Sequence, residues 1–485
     1  MMRTHLAVRT VLLAAAALAV VSPCRAQDAP NAAVDKVFAD FTKPGSPGCA
    51  LGVYRDGKII YAKGYGLANI EENVAITPQT VFDIGSTSKQ FSAASILLLE
   101  KQGKLSVNDD IRKYVPEIPN YGQTITILNL LNHTSGLRDY LTLFTLAGIN
   151  IDSVTTDDDA LAIIARQKQL NFAPGSEYLY SNSGFFLLSV IVKRVSGKTL
   201  RDFAQENIFT PLSMTHTQYR DDHTALVPNR AMAYEMREGA RGYELDVSYF
   251  EQTGDGAVHT TVEDLQKWDE NFYSAQIGGK EFLAEIQEPG KLTTGKTLDY
   301  AKGLGVGEYR GLRVVSHAGS WGGYRAQLMR FPEQHFSVAT LCNVGSANTT
   351  RLARSVAEVY LASVMKPVEA AAPKPAAEES KPSATFQPAA ADLAAYAGDY
   401  WSDELRVTYR LAVADGHLMF DGVTGAVGLP RSGRLTRREL RATAKDDFTL
   451  GESRNTFHFT RDAGGAVTGF VLDAGRTKGM VFTRQ

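Results

Sequence analysis

Between Lys366 and Ala391 the chain reads KPVEAAAPKPAAEESKPSATFQPAAA, five prolines among alanines and charges with no apolar period. Prolines at that density fix φ and remove backbone donors, so neither a helix nor a sheet ladder can run through the segment. It reads as a linker, and it divides the 485 residues into two folding units, 27–365 and 392–485. The first is long enough to bury a large core; the second must make a small one.

The first residues carry Arg3, His5 and Arg9, then an apolar run from Val11 to Val21, then Ser22-Pro23-Cys24-Arg25-Ala26. That is the order of a secretory signal with a small-residue cleavage site, expected to be cut after Ala26. The run is far short of the roughly 20 residues that span a bilayer, and Pro23 before Cys24 does not suit lipoprotein processing. The expected location is periplasmic or secreted, with no membrane span. Cleavage leaves Cys49 and Cys342. Export permits a bridge between them, but the reading favoured here is two separate buried small side chains. No Cys-x-x-Cys or His-x-x-x-His pair offers metal-ligand spacing, so neither a metal nor another cofactor is expected.

Upstream of the linker, Ala50–Tyr54 and Lys58–Ala62 are predicted strands joined through Asp56-Gly57, a type I′ hairpin signal. Apolar helical patterns follow over Phe91–Gln102, closed by Gly103, and Gly184–Val195, followed by Ser196-Gly197. Strands return at Gly303–Tyr309, Leu312–Ser316, Gly323–Phe331 and Phe336–Asn343, and the short turns between them require an antiparallel sheet. The fold class is α+β, with an antiparallel sheet covered by helices. After the linker, short alternating segments separated by Asp415-Gly416, Asp421-Gly422, Ser432-Gly433 and Gly464-Gly465 predict a small all-β barrel domain without a catalytic cluster, suited to packing, binding or substrate gating.

A balance of 51 basic against 53 acidic residues gives no electrostatic reason for a nucleic-acid partner. The ligand expected is a small molecule or peptide. Phe82-Asp83-Ile84-Gly85-Ser86-Thr87-Ser88-Lys89 leads directly into the first long helix, so Ser86 and Lys89, three apart, share one face. A serine at a helix start gains from the positive end of the dipole, and a lysine held neutral by burial can take its proton. Ser-x-x-Lys alone also fits an N-cap serine beside a solvated lysine. Two further elements decide between these readings: Tyr180-Ser181-Asn182 before the second long helix, and Ser316-His317-Ala318-Gly319-Ser320, which ends a strand with His-x-Gly.

With these motifs in order, the chain resembles the serine β-lactamase and penicillin-binding-protein superfamily, in its branch of class C β-lactamases, D-aminopeptidases and esterases. The phrases Leu130-Leu131-Asn132-His133-Thr134-Ser135-Gly136-Leu137 and Gly254-Asp255-Gly256-Ala257 add to it, and the likeness spans roughly residues 33–363. The C-terminal region resembles the lipocalin-like barrel attached to some members. The resemblance implies that Ser86 is the acylated nucleophile, with Lys89 and Tyr180 sharing proton transfer, and the choice of acylation base stays open between those two. Tyr180, placed near two cations, would hold a lowered pKa and act as base in deacylation. Asn182 would bond Lys89 and the substrate amide, His317 and Gly319 would line the substrate strand, and the backbone N–H groups of Ser86 and Ser320 would form the oxyanion hole. His133 reads as a structural hydrogen-bonding residue.

At His317-Ala318 the lactamases usually present Lys-Thr. The substitution removes a fixed charge and a hydroxyl, and with them charge-assisted bonds to a β-lactam carboxylate worth roughly 1.5–3 kcal/mol each. The expectation is therefore an exported hydrolase of an ester or amide, D-amino-acid peptides of cell-wall origin among them, acting through a Ser86 acyl-enzyme. The alternatives are a β-lactamase or DD-peptidase, and a catalytically silent protein that binds cell-wall peptides. Oligomeric state is left open.

Overall fold

The structure, a computed structural model, describes residues 28–237, 239, 242–367, 386, 388–425, 437–451, 453 and 455–485. The expected signal segment 1–26 and most of the expected linker 366–391 lie outside the described residues.

One antiparallel sheet holds seven strands: β1 (Cys49–Arg55), β2 (Lys58–Tyr65), β3 (Tyr300–Ala301), β4 (Leu304–Tyr309), β5 (Leu312–Trp321), β6 (Tyr324–Phe331) and β7 (Phe336–Cys342), in the order β3-β4-β5-β6-β7-β1-β2. The hairpin of β1 and β2 turns on Asp56 and Gly57, at φ 51° and 74°, the two left-handed positions that a type I′ turn requires. β1 then pairs with β7 from the far end of the domain. The helices that cover the sheet or carry the site are α1 (Asp28–Val37), α2 (Lys89–Lys101), α3 (Tyr140–Leu146), α4 (Asn182–Ser196), α5 (Val262–Ser274) and α6 (Thr349–Leu361).

Both faces of the sheet are covered, which the period of two in the strands explains. Cys49, Leu51 and Val53 point to one layer with Val34 of α1 and Leu352, Val356 and Ala357 of α6. Ala50 and Tyr54 point to the other, with α2, α4 and α5. β7 divides the same way, Phe336, Val338 and Cys342 against Ala339 and Leu341. α4 ends where Gly197 takes φ 74°, a left-handed stop.

The expectation for the cysteines is corrected: Cys49 and Cys342 form a disulfide. They stand directly opposite each other in the β1–β7 register with their Cα atoms 4.0 Å apart, so two thiols in an oxidising compartment have no room to avoid each other. A second correction concerns β5, which does not end at the His-x-Gly motif but runs through it to Trp321.

The C-terminal residues close into an eight-stranded barrel, β8 (Gly398–Ser402), β9 (Val407–Ala414), β10 (His417–Thr424), β11 (Arg438–Ala444), β12 (Asp447–Leu450), β13 (Thr456–Arg461), β14 (Val467–Ala474) and β15 (Thr477–Arg484). Its interior is filled by aromatic rings, among them Tyr400, Tyr409, Phe459, Phe470 and Phe482. The barrel is docked on the hydrolase-like domain through buried polar contacts. Arg138, fully buried, donates to Glu404 Oε2 at 2.6 Å, to Gln167 Oε1 at 3.0 Å, and to the carbonyls of Lys478 and Gly479 at 2.9 Å each. Tyr409 donates to the carbonyl of Leu146 at the end of α3.

Candidate active site

From Val81 to Leu97 every residue is buried except Ser86. The chain leaves a short strand at Phe82–Asp83, makes a tight 3-10 turn over Gly85–Ser88 and continues as α2, which puts Ser86 on the turn and Lys89 at the first position of the α-helix. Two glycines make the turn possible. A Cβ on Gly85, which sits at φ 47°, would lie 2.7 Å from the backbone nitrogen of Ser320, and one on Gly319 would lie 1.8 Å from the carbonyl oxygen of Ile84. β5 therefore lies directly across the turn, and the glycine of His-x-Gly is demanded by that approach. β4 pairs with β5 only as far as Ser316, so residues 317–321 form an edge that faces the site.

Lys89 is completely buried, and its Nζ donates to Ser86 Oγ at 3.1 Å, Asn182 Oδ1 at 3.0 Å and the carbonyl of Asp255 at 2.6 Å. Burial pushes its pKa down from the ordinary lysine range, opposed by the carboxylates of Asp255 and Asp139. When the ammonium loses a proton, two N–H bonds remain for Asn182 and the Asp255 carbonyl, and the lone pair faces the Ser86 hydroxyl. That is the geometry of a base poised on a nucleophile.

Asp255 is buried beside it. Burial pushes its carboxyl upward, Lys89 pulls it back, Oδ2 accepts from Tyr140, and Oδ1 has no partner among the described residues. Asn182 is fixed in turn: its backbone N–H donates to Asp139 Oδ2 at 2.6 Å, and Asp139 caps α3.

The expected lowering of the Tyr180 pKa is corrected. Its hydroxyl is buried, with no partner at hydrogen-bonding geometry among the described residues. Burial drives the pKa above the ordinary phenol value; Ser86 and the guanidinium of Arg476 pull it only part of the way back. Two cations are indeed close, but Lys89 Nζ and Arg476 Cζ lie 4.9 and 4.7 Å from the ring centroid. Tyr180 is therefore a proton-carrying phenol at neutral pH.

His317 belongs to a chain of four hydrogen bonds whose directions are all fixed by its ends. The carbonyl of Ala318 can only accept, so His317 Nδ1 carries the proton at 2.6 Å from it, and Nε2 is an acceptor. Tyr300 must then donate to His317 Nε2 at 3.1 Å and accept from His133 Nε2 at 3.1 Å. His133 Nδ1 is left to accept the backbone N–H of Ser181 at 3.2 Å, which closes the assignment. Both imidazoles are neutral: burial and the charge of Lys89 hold His317 down to about 4 and His133 well below its ordinary value. Tyr300 is held protonated by burial.

A cleft of about 1020 Å³ opens over these groups. Ser86, Tyr180, Asn182, His317, Gly319 and Ser320 all line it; Lys89 lies beneath. Three further residues of the site escape the sequence motifs. Asp255 lies in a phrase noted only for its resemblance, Tyr300 in a two-residue strand with no motif, and Arg476 in the barrel, which carries no catalytic signature. Among the described residues, one grouping of potential metal ligands occurs, Asp222, His223 and Glu251, where His223 Nδ1 already bonds Glu251 at 2.6 Å.

Residues 34–362 match the family model described as Beta-lactamase. The chain belongs to the beta-lactamase family. Among curated proteins of this family, penicillin-binding protein 4* of Bacillus subtilis is 32% identical over 308 residues, covering 59% of this chain and 66% of that protein. A D-aminopeptidase of Brucella anthropi is 28% identical over 302 residues, covering 61% of this chain and 56% of its own length. The chain thus spans less than two thirds of either relative. The solved octameric penicillin-binding protein homologue of Pyrococcus abyssi shares the fold with a TM-score of 0.61 at 21% identity, over 94% of this chain and 99% of that one. D-amino acid amidase of Ochrobactrum anthropi SV3 shares it with a TM-score of 0.58 at 22% identity, over 69% and 99%.

Proposed function

We propose that this member of the beta-lactamase family is an exported serine hydrolase that cleaves an ester or amide through an acyl-enzyme on Ser86. The observation that carries the reading is the contact of the single accessible residue in a buried run, Ser86, with a completely buried lysine 3.1 Å away. Lys89 in its neutral form takes the serine proton as Ser86 attacks the carbonyl. The backbone N–H groups of Ser86 and Ser320 receive the developing oxyanion. Tyr180 then acts from its protonated form, donating to the leaving group and being reprotonated from Lys89, so the pair shuttles one proton. The raised Tyr180 pKa supports this order over a phenolate base in the first step.

The amide class favoured is a peptide or amide of a D-amino acid; a D-aminopeptidase and a penicillin-binding protein stand among the relatives. Neutral His317 argues for ester or amide turnover ahead of β-lactam turnover. Export is supported by the Cys49–Cys342 disulfide, which persists in oxidising compartments, and by the secretory pattern of the first 26 residues. A mature protein beginning at Gln27 is the expected mass.

The test is intact-protein mass spectrometry after exposure to p-nitrophenyl esters, D-alanyl peptides and penicillins, with a fluorophosphonate probe as a second label. One acyl adduct on wild type and none on Ser86→Ala is the expected result; p-nitrophenyl butyrate should turn over faster than nitrocefin. Labelling that survives Ser86→Ala would remove Ser86 from the mechanism.

A further inference from the structure

Among the described residues, the barrel enters the active-site cleft at one. β14 and β15 are joined by a two-residue turn, Gly475-Arg476, between the paired Ala474 and Thr477, and Arg476 is the barrel residue that lines the cleft. Its backbone is clamped to the catalytic domain: its carbonyl accepts from Asn171 Nδ2 at 2.9 Å and from the N–H of Asp139 at 3.4 Å, while Asn171 Oδ1 accepts from Lys478 N at 2.8 Å. Arg138 grips the next carbonyls of the same strand. A tightly held backbone fixes where the side chain starts and keeps it at the cleft.

That side chain is only loosely held. Among the described residues its guanidinium donates no hydrogen bond, and it is 43% exposed. It forms a long ion pair with Asp139 Oδ2 at 3.8 Å, an oxygen that also accepts the N–H of Asn182, while Oδ1 accepts from Thr142. The other cations of the cleft each donate at least one hydrogen bond, although Arg220 Nε is buried without a partner among the described residues. Lys89 is buried among three acceptors, Arg220 donates to the carbonyl of His223, and Arg325 to those of Gly322 and Tyr324. The fork of Arg476 hangs over the ring of Tyr180, 4.7 Å from its centroid, in the cleft that Ser86 also lines. A planar fork of donors at the mouth of a cleft matches one ligand chemistry best, a carboxylate held by paired bonds.

We infer that Arg476 is a specificity-determining residue by which the C-terminal barrel selects substrates carrying a carboxylate near the scissile bond. The inference rests on the hydrolase reading above and adds the class of substrate to it. The barrel then contributes a cation of its own to the cleft.

The test compares matched esters with the full-length protein. One arm places the charge on the acyl side, mono-p-nitrophenyl glutarate against p-nitrophenyl pentanoate; the other places it on the leaving group, 3-carboxyphenyl butyrate against phenyl butyrate. The quantity read is the anionic-to-neutral ratio of kcat/KM in each arm, so a general loss of activity cancels. In one arm Arg476→Ala should lower the ratio about 10-fold or more, the loss expected for a charge-assisted pair. Arg476→Lys should keep part of the preference, and Arg476→Glu should invert it. The inference is overturned if the ratio stays within about twofold in both arms. It is equally overturned if anionic and neutral esters fall in parallel and the pH profile shifts, since Arg476 would then act through the Tyr180 electrostatics. If wild type turns over none of the four esters and no probe labels Ser86, the hydrolase reading itself fails and takes the inference with it.

Discussion

Removing the Tyr180 hydroxyl should separate stability from turnover. In the resting site this oxygen is buried with no partner at hydrogen-bonding geometry among the described residues, and an unpaired hydroxyl in the interior costs about 1–3 kcal/mol. Tyr180→Phe keeps the ring that Lys89 and Arg476 face at 4.9 and 4.7 Å, so the packing and both cation–π contacts survive. The variant should therefore be no less stable than wild type, and more stable by up to about 1 kcal/mol once the hydroxyl's residual interaction with Ser86 is set against the relief. Turnover should move the other way. Loss of a proton shuttle lowers the rate on the order of 100-fold, about 2.7 kcal/mol of barrier. Urea midpoints at pH 7, followed by fluorescence, give the first quantity; burst and steady-state release of p-nitrophenol from the butyrate ester give the second. A variant with wild-type turnover would make Tyr180 a structural residue. A loss of more than about 1 kcal/mol of stability would show that the hydroxyl is paired in solution, and the argument from its isolation would fail.

Asp255→Asn should displace the acid limb of the acylation rate to lower pH: the carboxylate raises the Lys89 pKa, and without it the lysine sheds its proton earlier. Stopped-flow acylation against pH reads this, and movement to higher pH refutes it. Gly319→Ala drives a methyl group to 1.8 Å from the Ile84 carbonyl oxygen, whereas an added Cβ at Gly307 on β4 meets nothing within 4 Å. The first should cost about 1–3 kcal/mol and most of the activity, the second neither, by the same urea and ester assays. Replacing Cys49 and Cys342 together by serine opens a crosslink spanning 293 residues and should cost about 2–5 kcal/mol in thermal unfolding, with turnover per folded molecule preserved. Equal melting temperatures for the oxidised wild type and the double variant would mean that the bridge does not form in solution.

What could be read from the chain alone was whatever short-range physics decides. Asp56-Gly57 encodes a hairpin because two left-handed positions in succession suit few other pairs. Ser86 and Lys89 share a face because a helical turn brings residues three apart together. The stretch 366–391 reads as a linker because prolines at that density interrupt helices and sheet ladders, and most of it lies outside the described residues. The motifs at 86–89, 180–182 and 317–319 each name residues of the cleft, although nothing in their spacing says that they meet.

Tertiary structure decided what depends on long-range approach and on solvent exclusion. The pairing of Cys49 with Cys342 follows from the β1–β7 register, which brings together strands nearly 300 residues apart in sequence. The continuation of β5 through His-x-Gly follows from the neighbouring hairpin partner β6. The Tyr180 pKa moves up instead of down because desolvation, a property of the assembled cleft, outweighs cations that lie over the ring and not at the hydroxyl. Tyr300 gains its place because it bridges two histidines that only the fold makes neighbours. Arg476 is the clearest instance: local sequence makes it an ordinary hairpin turn, and only the docking of the barrel through Arg138 and Asn171 carries its charge into the cleft. Local order is written in adjacent residues, while the field that sets a pKa or a specificity comes from groups that folding alone brings within a few ångströms of one another.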